Sequence, residues 1–330
     1  MTFFYNQVYI DEVSTVCGPF EKRGPLRRYF DKTYDDYYFG EKTFEKAEVK
    51  LVKDALVLIM KKSGYTKKEF DLVIGSDLLN QITATTYGCK DVGNSFIGVY
   101  GACSGSVLEL IIASNFIQAN LIKNCLCVVS SHNMTSEKQF RYPTEYGAPR
   151  PNTATFTATG ACCALLSKEK TPIRVECATL GRCVDYSQND PNDMGRVMAP
   201  AAIDTLIRHF EDTKRTPNDY DLILTGDLGI YGKEIVKEYM DKTFHIDLGN
   251  RYNDCGVMLY DLEKQKEVKA GGSGPSCSAL VVYSYVIDLL RTKKIKRVLF
   301  LATGALFSPL FLYQKQNIPS ICHAISLEVE

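Results

Sequence analysis

No tryptophan occurs in the 330 residues, so tyrosine, present 20 times, supplies much of the aromatic mass. Charge of either sign is not in excess: Lys+Arg and Asp+Glu are both 39, which argues against nucleic acid as the main partner because that needs a basic surface. Nowhere is there a run of 18 apolar residues, so no segment is expected to span a membrane. The start, Met1-Thr-Phe-Phe-Tyr-Asn-Gln-Val-Tyr-Ile-Asp11, lacks a basic n-region and is not expected to be a signal peptide. Twelve cysteines are present without one C-x-x-C pair. Cys125 and Cys127 lie two apart, and Cys162 and Cys163 are adjacent; neither spacing suits zinc. Reduced, buried thiols in a reducing compartment are expected rather than a disulfide framework.

What is present centres on Ser95–Ser131. It reads strand (Ser95–Tyr100), sharp turn (Gly101-Ala-Cys-Ser-Gly-Ser106), helix (Val107–Leu121) and strand (Cys125–Ser130). Small residues let the chain turn tightly from strand into helix. Cys103 then sits at the helix N-terminus, where unpaired N–H groups and the helix dipole favour a thiolate. The blander alternative is a small packed thiol.

The remaining pattern is alternating α/β. A loop dense in tyrosine and aspartate fills residues 29–40, either a surface cover packed by its own rings or a lid or partner surface. Thr43 is a candidate N-cap and Gly64 a candidate terminator for a helix whose Val49, Val52, Leu56 and Ile59 share a face. Residues 132–152 read as an irregular polar loop, 190–195 as a second loop, and 199–213 as a helix with Pro200 in its first turn. The segment Glu69-Phe-Asp-Leu-Val-Ile-Gly-Ser-Asp-Leu78 returns 150 positions later as Asp219-Tyr-Asp-Leu-Ile-Leu-Thr-Gly-Asp-Leu228. Each copy is followed by a glycine turn, a helix and a buried strand. This implies a duplicated α/β chain, split at 1–170 and 171–330, with parallel strands and right-handed crossovers.

A duplicated α/β chain with cysteine on the first-half glycine turn resembles the thiolase superfamily, and Gly101-Ala-Cys-Ser-Gly105 is similar to the nucleophile turn of ketoacyl-acyl-carrier-protein synthases. Longer blocks resemble the stage V sporulation protein AD family: Tyr29-Phe-Asp-Lys-Thr-Tyr-Asp-Asp36, Gln139-Phe-Arg-Tyr-Pro-Thr-Glu-Tyr-Gly147, Met198-Ala-Pro-Ala-Ala202, Ala270-Gly-Gly-Ser-Gly274 and Ala302-Thr-Gly-Ala-Leu306. The resemblance implies a layered αβαβα fold with two mixed, mainly parallel sheets, and a homodimer paired through the first-half sheet edge. It further implies a peripheral protein on the cytoplasmic side of the forespore or spore inner membrane. There it would work with membrane-embedded stage V subunits to take up dipicolinic acid, or its calcium complex, in sporulation and to release it in germination.

Acyl transfer on such a scaffold needs a thiolate plus a His and an Asn, or two His, from the second half. The two turns that should supply them read Thr225-Gly-Asp-Leu-Gly229 and Gly271-Gly-Ser-Gly274, with neither residue. A binding protein is therefore expected, with no cofactor or resident metal, and a thiolase-like acyltransferase using Cys103 is the alternative. Candidate ligand contacts are Cys103 and Ser104 at the helix N-terminus, His132 after its strand, Arg141 and Arg150 for a carboxylate, and Tyr142, Tyr146 or Phe140 for the ring. Arg141 and Arg150 could equally form ion pairs with Glu137 or Glu145. Asp227 is a further candidate, for a hydrogen bond or calcium, with helix N-capping as the alternative favoured by Asp77 at the matching place. Of the four histidines, His209 and His245 read as bystanders, while His323 opens the last strand.

Overall fold

In the computed structural model, residues 1–141 and 150–329 are described. Residues with a period-two or continuous apolar pattern form strands, and each strand–turn–helix unit of the repeat folds alike. In the first half, β1 (Tyr9–Cys17), α1 (Phe44–Ser63), β2 (Leu72–Ser76), β3 (Ser95–Gly98), α2 (Gly105–Gln118), β4 (Asn124–Ser131), α3 (Asn133–Phe140) and β5 (Gly160–Ser167) follow in order. The second half continues with β6 (Ile173–Thr179), α4 (Met194–Thr213), β7 (Leu222–Thr225), α5 (Gly229–Phe244) and β8 (Tyr252–Asp254). Its last large helix runs as Pro275–Val281, a π turn Val282–Val286, and Ile287–Arg291, together called α6. Strands β9 (Arg297–Ala305) and β10 (Ser320–Val329) complete it.

The duplication is visible in the sheet order, β3-β2-β4-β5-β1 for the first half and β8-β7-β9-β10-β6 for the second. In both, the first three strands are parallel and the fourth is antiparallel to its neighbours, so four of five strands point one way. The two half-sheets are hydrogen-bonded to one another at a seam where Tyr9 and Ile10 face Arg174 and Ile173. The two mixed sheets that the resemblance implied are thus present as two half-sheets, joined edge to edge at this short seam. Helices α2 and α6 lie between the halves, with Val107, Leu110 and Ile111 packed in the same core as Ala279, Leu280 and Val281. Helix α1 covers the outer face of the first half-sheet, and α4 and α5 cover the outer face of the second. Five layers result, αβαβα.

Local chemistry sets several boundaries. Thr43 Oγ1 accepts from the Lys46 N–H at 3.3 Å, and Gly64, at φ 79°, ends α1 in the left-handed conformation that glycine adopts without strain. Two expectations fail here. Residues 133–140 form a helix, capped by His132, whose Nδ1 accepts from the Met134 N–H at 3.1 Å. Helix α4 begins at Met194, capped by Asp193, so Pro200 lies inside it rather than in its first turn. All twelve cysteines are free thiols, and only Cys103 and Cys183 have any appreciable exposure.

Candidate functional site

Strand β3 runs into a tight turn, Ala102–Ser104, before α2. Ala102 holds φ 50°, a strained value for a residue with a Cβ, and this re-aims the chain so that Cys103 faces the interface between the halves. Ser104 donates to the Gly101 carbonyl at 2.6 Å, bracing the turn instead of facing the cavity. Gly304, on β9, comes so close to this turn that a Cβ there would stand 2.4 Å from the Gly101 oxygen.

The two second-half turns do reach the thiol, but they bring a hydroxyl and a carboxyl. Ser273 Oγ lies 3.8 Å from Cys103 Sγ and donates to Asp227 Oδ2 at 3.1 Å. The Gly274 N–H donates to the same oxygen at 3.0 Å, and the Thr303 hydroxyl donates to Oδ1 at 2.7 Å. Asp227 is fully buried and its capping role is taken by Asp254, which accepts from the Leu228 and Gly229 N–H groups at 2.9 and 3.0 Å. The matching first-half residue, Asp77, does cap, accepting from the Leu79 and Thr85 N–H groups.

Burial first, then the Asp227 carboxylate beside it, push the Cys103 thiol well above the ordinary cysteine range. The thiolate expected from the helix N-terminus is therefore not what the surroundings favour: a buried anion outweighs a helix dipole's fractional charge. Burial also raises Asp227 itself, against the hydrogen bonds that hold it down. Asp254, buried beside it, is pushed up to about 7.

A cavity of about 60 Å³ opens above Cys103 and Ser273. With a water's share of liquid volume about 30 Å³, that is room for about two waters. Tyr100, Phe140 and Phe307 supply aromatic walls, and Met194 and Met198 from the start of α4 close one side. Arg141 is the cation on its lining; its Nη1 donates to Glu137 Oε1 at 3.2 Å, while Arg150 pairs with the other Glu137 oxygen. Both arginines thus meet on one carboxylate, and only Arg141 lines the cavity. Tyr142 and Tyr146 lie outside the described residues.

None of the four histidines lines this cavity. His132 is buried among Tyr37, Phe39 and Phe44, with Nε2 donating to the Tyr37 carbonyl at 2.9 Å. It pins the aromatic loop onto the end of β4. His209 bonds Thr179 and Tyr220, His323 accepts from the Gly181 N–H, and His245 is an exposed helix terminator. Ser273, Thr303, Tyr100 and Phe307 were not singled out from sequence. For Ser273 the signal was there, since its turn was already identified as the place a partner should stand. Among the described residues no group of three His, Cys, Asp or Glu side chains could hold a metal ion.

The family model described as stage V sporulation protein AD matches residues 1–328. The chain is 43% identical over 325 residues to stage V sporulation protein AD of Bacillus subtilis (strain 168), covering 98% of this chain and 95% of that one. Among solved structures it is similar to an OleA variant from Xanthomonas campestris, with TM-score 0.62, 14% identity and 99% of each chain covered. It is also similar to 3-oxoacyl-[acyl-carrier-protein] synthase III from Aquifex aeolicus VF5, with TM-score 0.58, 12% identity, and 97% and 99% covered. At such identities the structural likeness establishes a thiolase-like fold.

Proposed function

Because the chain belongs to the stage V sporulation protein AD family, we propose that it binds dipicolinate, free or as its calcium complex, in the Cys103 cavity without acyl transfer. On this reading it serves a spore-membrane complex that takes the ligand up in sporulation and releases it in germination. Among the described residues no helix is long and apolar enough to cross a membrane, which fits a peripheral subunit docked on membrane-embedded partners.

The observation that carries the reading is the carboxyl group of Asp227 beside the thiol, held by the Ser273 hydroxyl that lies 3.8 Å from the sulfur, where acyl transfer would need an imidazole or an amide. A carboxylate there opposes the thiolate and offers no donor to a developing oxyanion. What remains is a small aromatic-walled cavity with one guanidinium on its lining. A flat pyridine dicarboxylate matches it: the ring stacks on Phe140, Phe307 or Tyr100, and one carboxylate competes with Glu137 for Arg141. The α2 N-terminus offers N–H groups to the other.

Thermal unfolding tests this directly. Dipicolinate should raise the melting temperature progressively with concentration, as a ligand of the native state must, while benzoate should not. Incubation with acyl-coenzyme A followed by intact-mass measurement should leave Cys103 unmodified. A melting temperature indifferent to millimolar dipicolinate, or a Cys103 adduct that turns over, overturns the reading.

A further inference from the structure

A second recess lies away from the Cys103 cavity, between the short helix Pro19–Lys22 and the aromatic loop. It is an open groove of about 820 Å³, walled by Phe20, Tyr37, Tyr38 and Phe44. Its walls are held in place. The Tyr38 and Phe44 rings stack with centroids 4.5 Å apart, and Tyr37 packs on the buried His132. Below the groove, Asp31 accepts from the Thr15 N–H and from Lys62 Nζ, both at 2.9 Å, tying the loop to β1 and α1.

The chain carries no net charge, yet Lys22, Arg23 and Arg27 line this groove within six positions. Lys22 pairs with Asp35 at 2.5 Å. Arg23 lies 4.1 Å above the Phe20 ring, and both Arg23 and Arg27 are exposed on the lining. Among the described residues neither is bonded to a carboxylate. The acid opposite, Asp36, is occupied, since its Oδ1 accepts from the Tyr38 and Phe39 N–H groups at 2.7 and 2.8 Å. A preformed aromatic trough with two guanidinium groups that form no ion pair among the described residues is suited to carboxylates carried on a chain with apolar side chains.

We propose that this groove docks an acidic segment of a partner polypeptide, its carboxylates on Arg23 and Arg27 and its apolar side chains on Phe20, Tyr38 and Phe44. A bilayer surface fits less well, because a recess walled by rings suits an extended chain with apolar side chains better than a plane. The groove is separate from the ligand cavity, with Met134 at one end of α3 lining the groove and Phe140 at the other end lining the cavity. The inference stands whether or not the cavity takes dipicolinate.

The test is fluorescence anisotropy on the full chain with a short fluorescein-labelled peptide of alternating glutamate and tyrosine. A lysine–tyrosine peptide and phosphatidylserine vesicles serve as comparison arms. The glutamate peptide should bind, lose affinity as salt rises, and bind at least about tenfold more weakly to the double variant Arg23→Glu/Arg27→Glu. Arg23→Gln/Arg27→Gln should fall between the two, and both variants should keep the wild-type melting temperature and dipicolinate response because the side chains are exposed. Equal binding of the two peptides, an unaffected double variant, or capture by vesicles in place of the peptide would each overturn the proposal.

Discussion

A thiol becomes a nucleophile when a neighbouring cation or base favours its thiolate. Asp227 does the reverse for Cys103, and it is held to that task by Ser273, Thr303 and the Gly274 N–H. Alkylation of Cys103 by iodoacetamide should accordingly be slow at pH 8. In Asp227→Asn, which removes the charge but keeps the shape, it should rise about tenfold or more, since one like-charge neighbour shifts a pKa by roughly a unit or more. Peptide mass mapping of alkylation rates reads this out; equal rates would mean that the carboxylate does not govern the thiol. This residue also marks how far sequence reasoning reaches. Asp227 and Asp77 occupy matching places in the repeat, and from sequence both look like caps. Asp254, 27 positions further on, caps α5 and releases Asp227 into the site. No local pattern signals that exchange, because it depends on which strand, β8, lies beside β7.

At the scale of elements, the duplicated units were legible because their signals are local. The capping pairs Thr66–Glu69 and Thr216–Asp219 recur, and Asp71 and Asp221 perform the same clasp. Asp71 accepts from the Lys123 and Asn124 N–H groups, tying β2 to the start of β4. Asp221 does the same with Lys296 and Arg297, tying β7 to β9. Asp71→Ala and Asp221→Ala should each cost about 1 kcal/mol in urea unfolding, and the double variant the sum, the sites being far apart. Helix α3 was not legible, because its sequence, Asn-Met-Thr-Ser-Glu-Lys-Gln-Phe, has almost no apolar face. Tertiary contacts make it, through the His132 cap and through Glu48, which takes the Thr135 hydroxyl.

That cap requires neutral imidazole, since Nδ1 must accept while Nε2 donates. Burial holds His132 down at about 4, against the Tyr37 carbonyl bond and the more distant Glu45 charge. A histidine whose folded pKa lies below its unfolded value of about 6.5 binds its proton in the unfolded chain first. Its contribution is therefore complete above that value and is lost as pH falls through about 4. At pH 5 the loss is about 2 kcal/mol. His132→Gln should unfold more readily at pH 7.5 and show a shallower fall in stability between pH 6.5 and 4.5 than the wild type. Parallel pH profiles would show that the loop is not pinned by the neutral ring.

For the whole molecule, the outermost first-half strand, β3, is an unpaired edge carrying Phe96 at 38% exposure, with Tyr100 at 46% just beyond it. An open edge with exposed rings is a surface that proteins cover. We propose that two copies pair there, which would also bring a second chain to the mouth of the Cys103 cavity through Tyr100. Light scattering should give twice the chain mass, and Phe96→Lys should give the monomer; a monomeric wild type would count against the pairing. The duplicated α/β architecture was readable from the repeat, and its five layers from the family resemblance. The cavity's size emerges only once the halves are in contact, whereas the pairing of Arg141 and Arg150 with Glu137 is one of the two readings the sequence offered.

The central claim is that this cavity is a binding site for dipicolinate, with Arg141 as its charged contact and Cys103 as a bystander to chemistry. Calorimetric titration of the full chain with dipicolinate tests it most directly. Saturable binding at one site per chain is expected, weakened about tenfold or more in Arg141→Ala and little changed in Arg150→Ala. No saturable heat in the wild type, or an affinity untouched by Arg141→Ala, would contradict it.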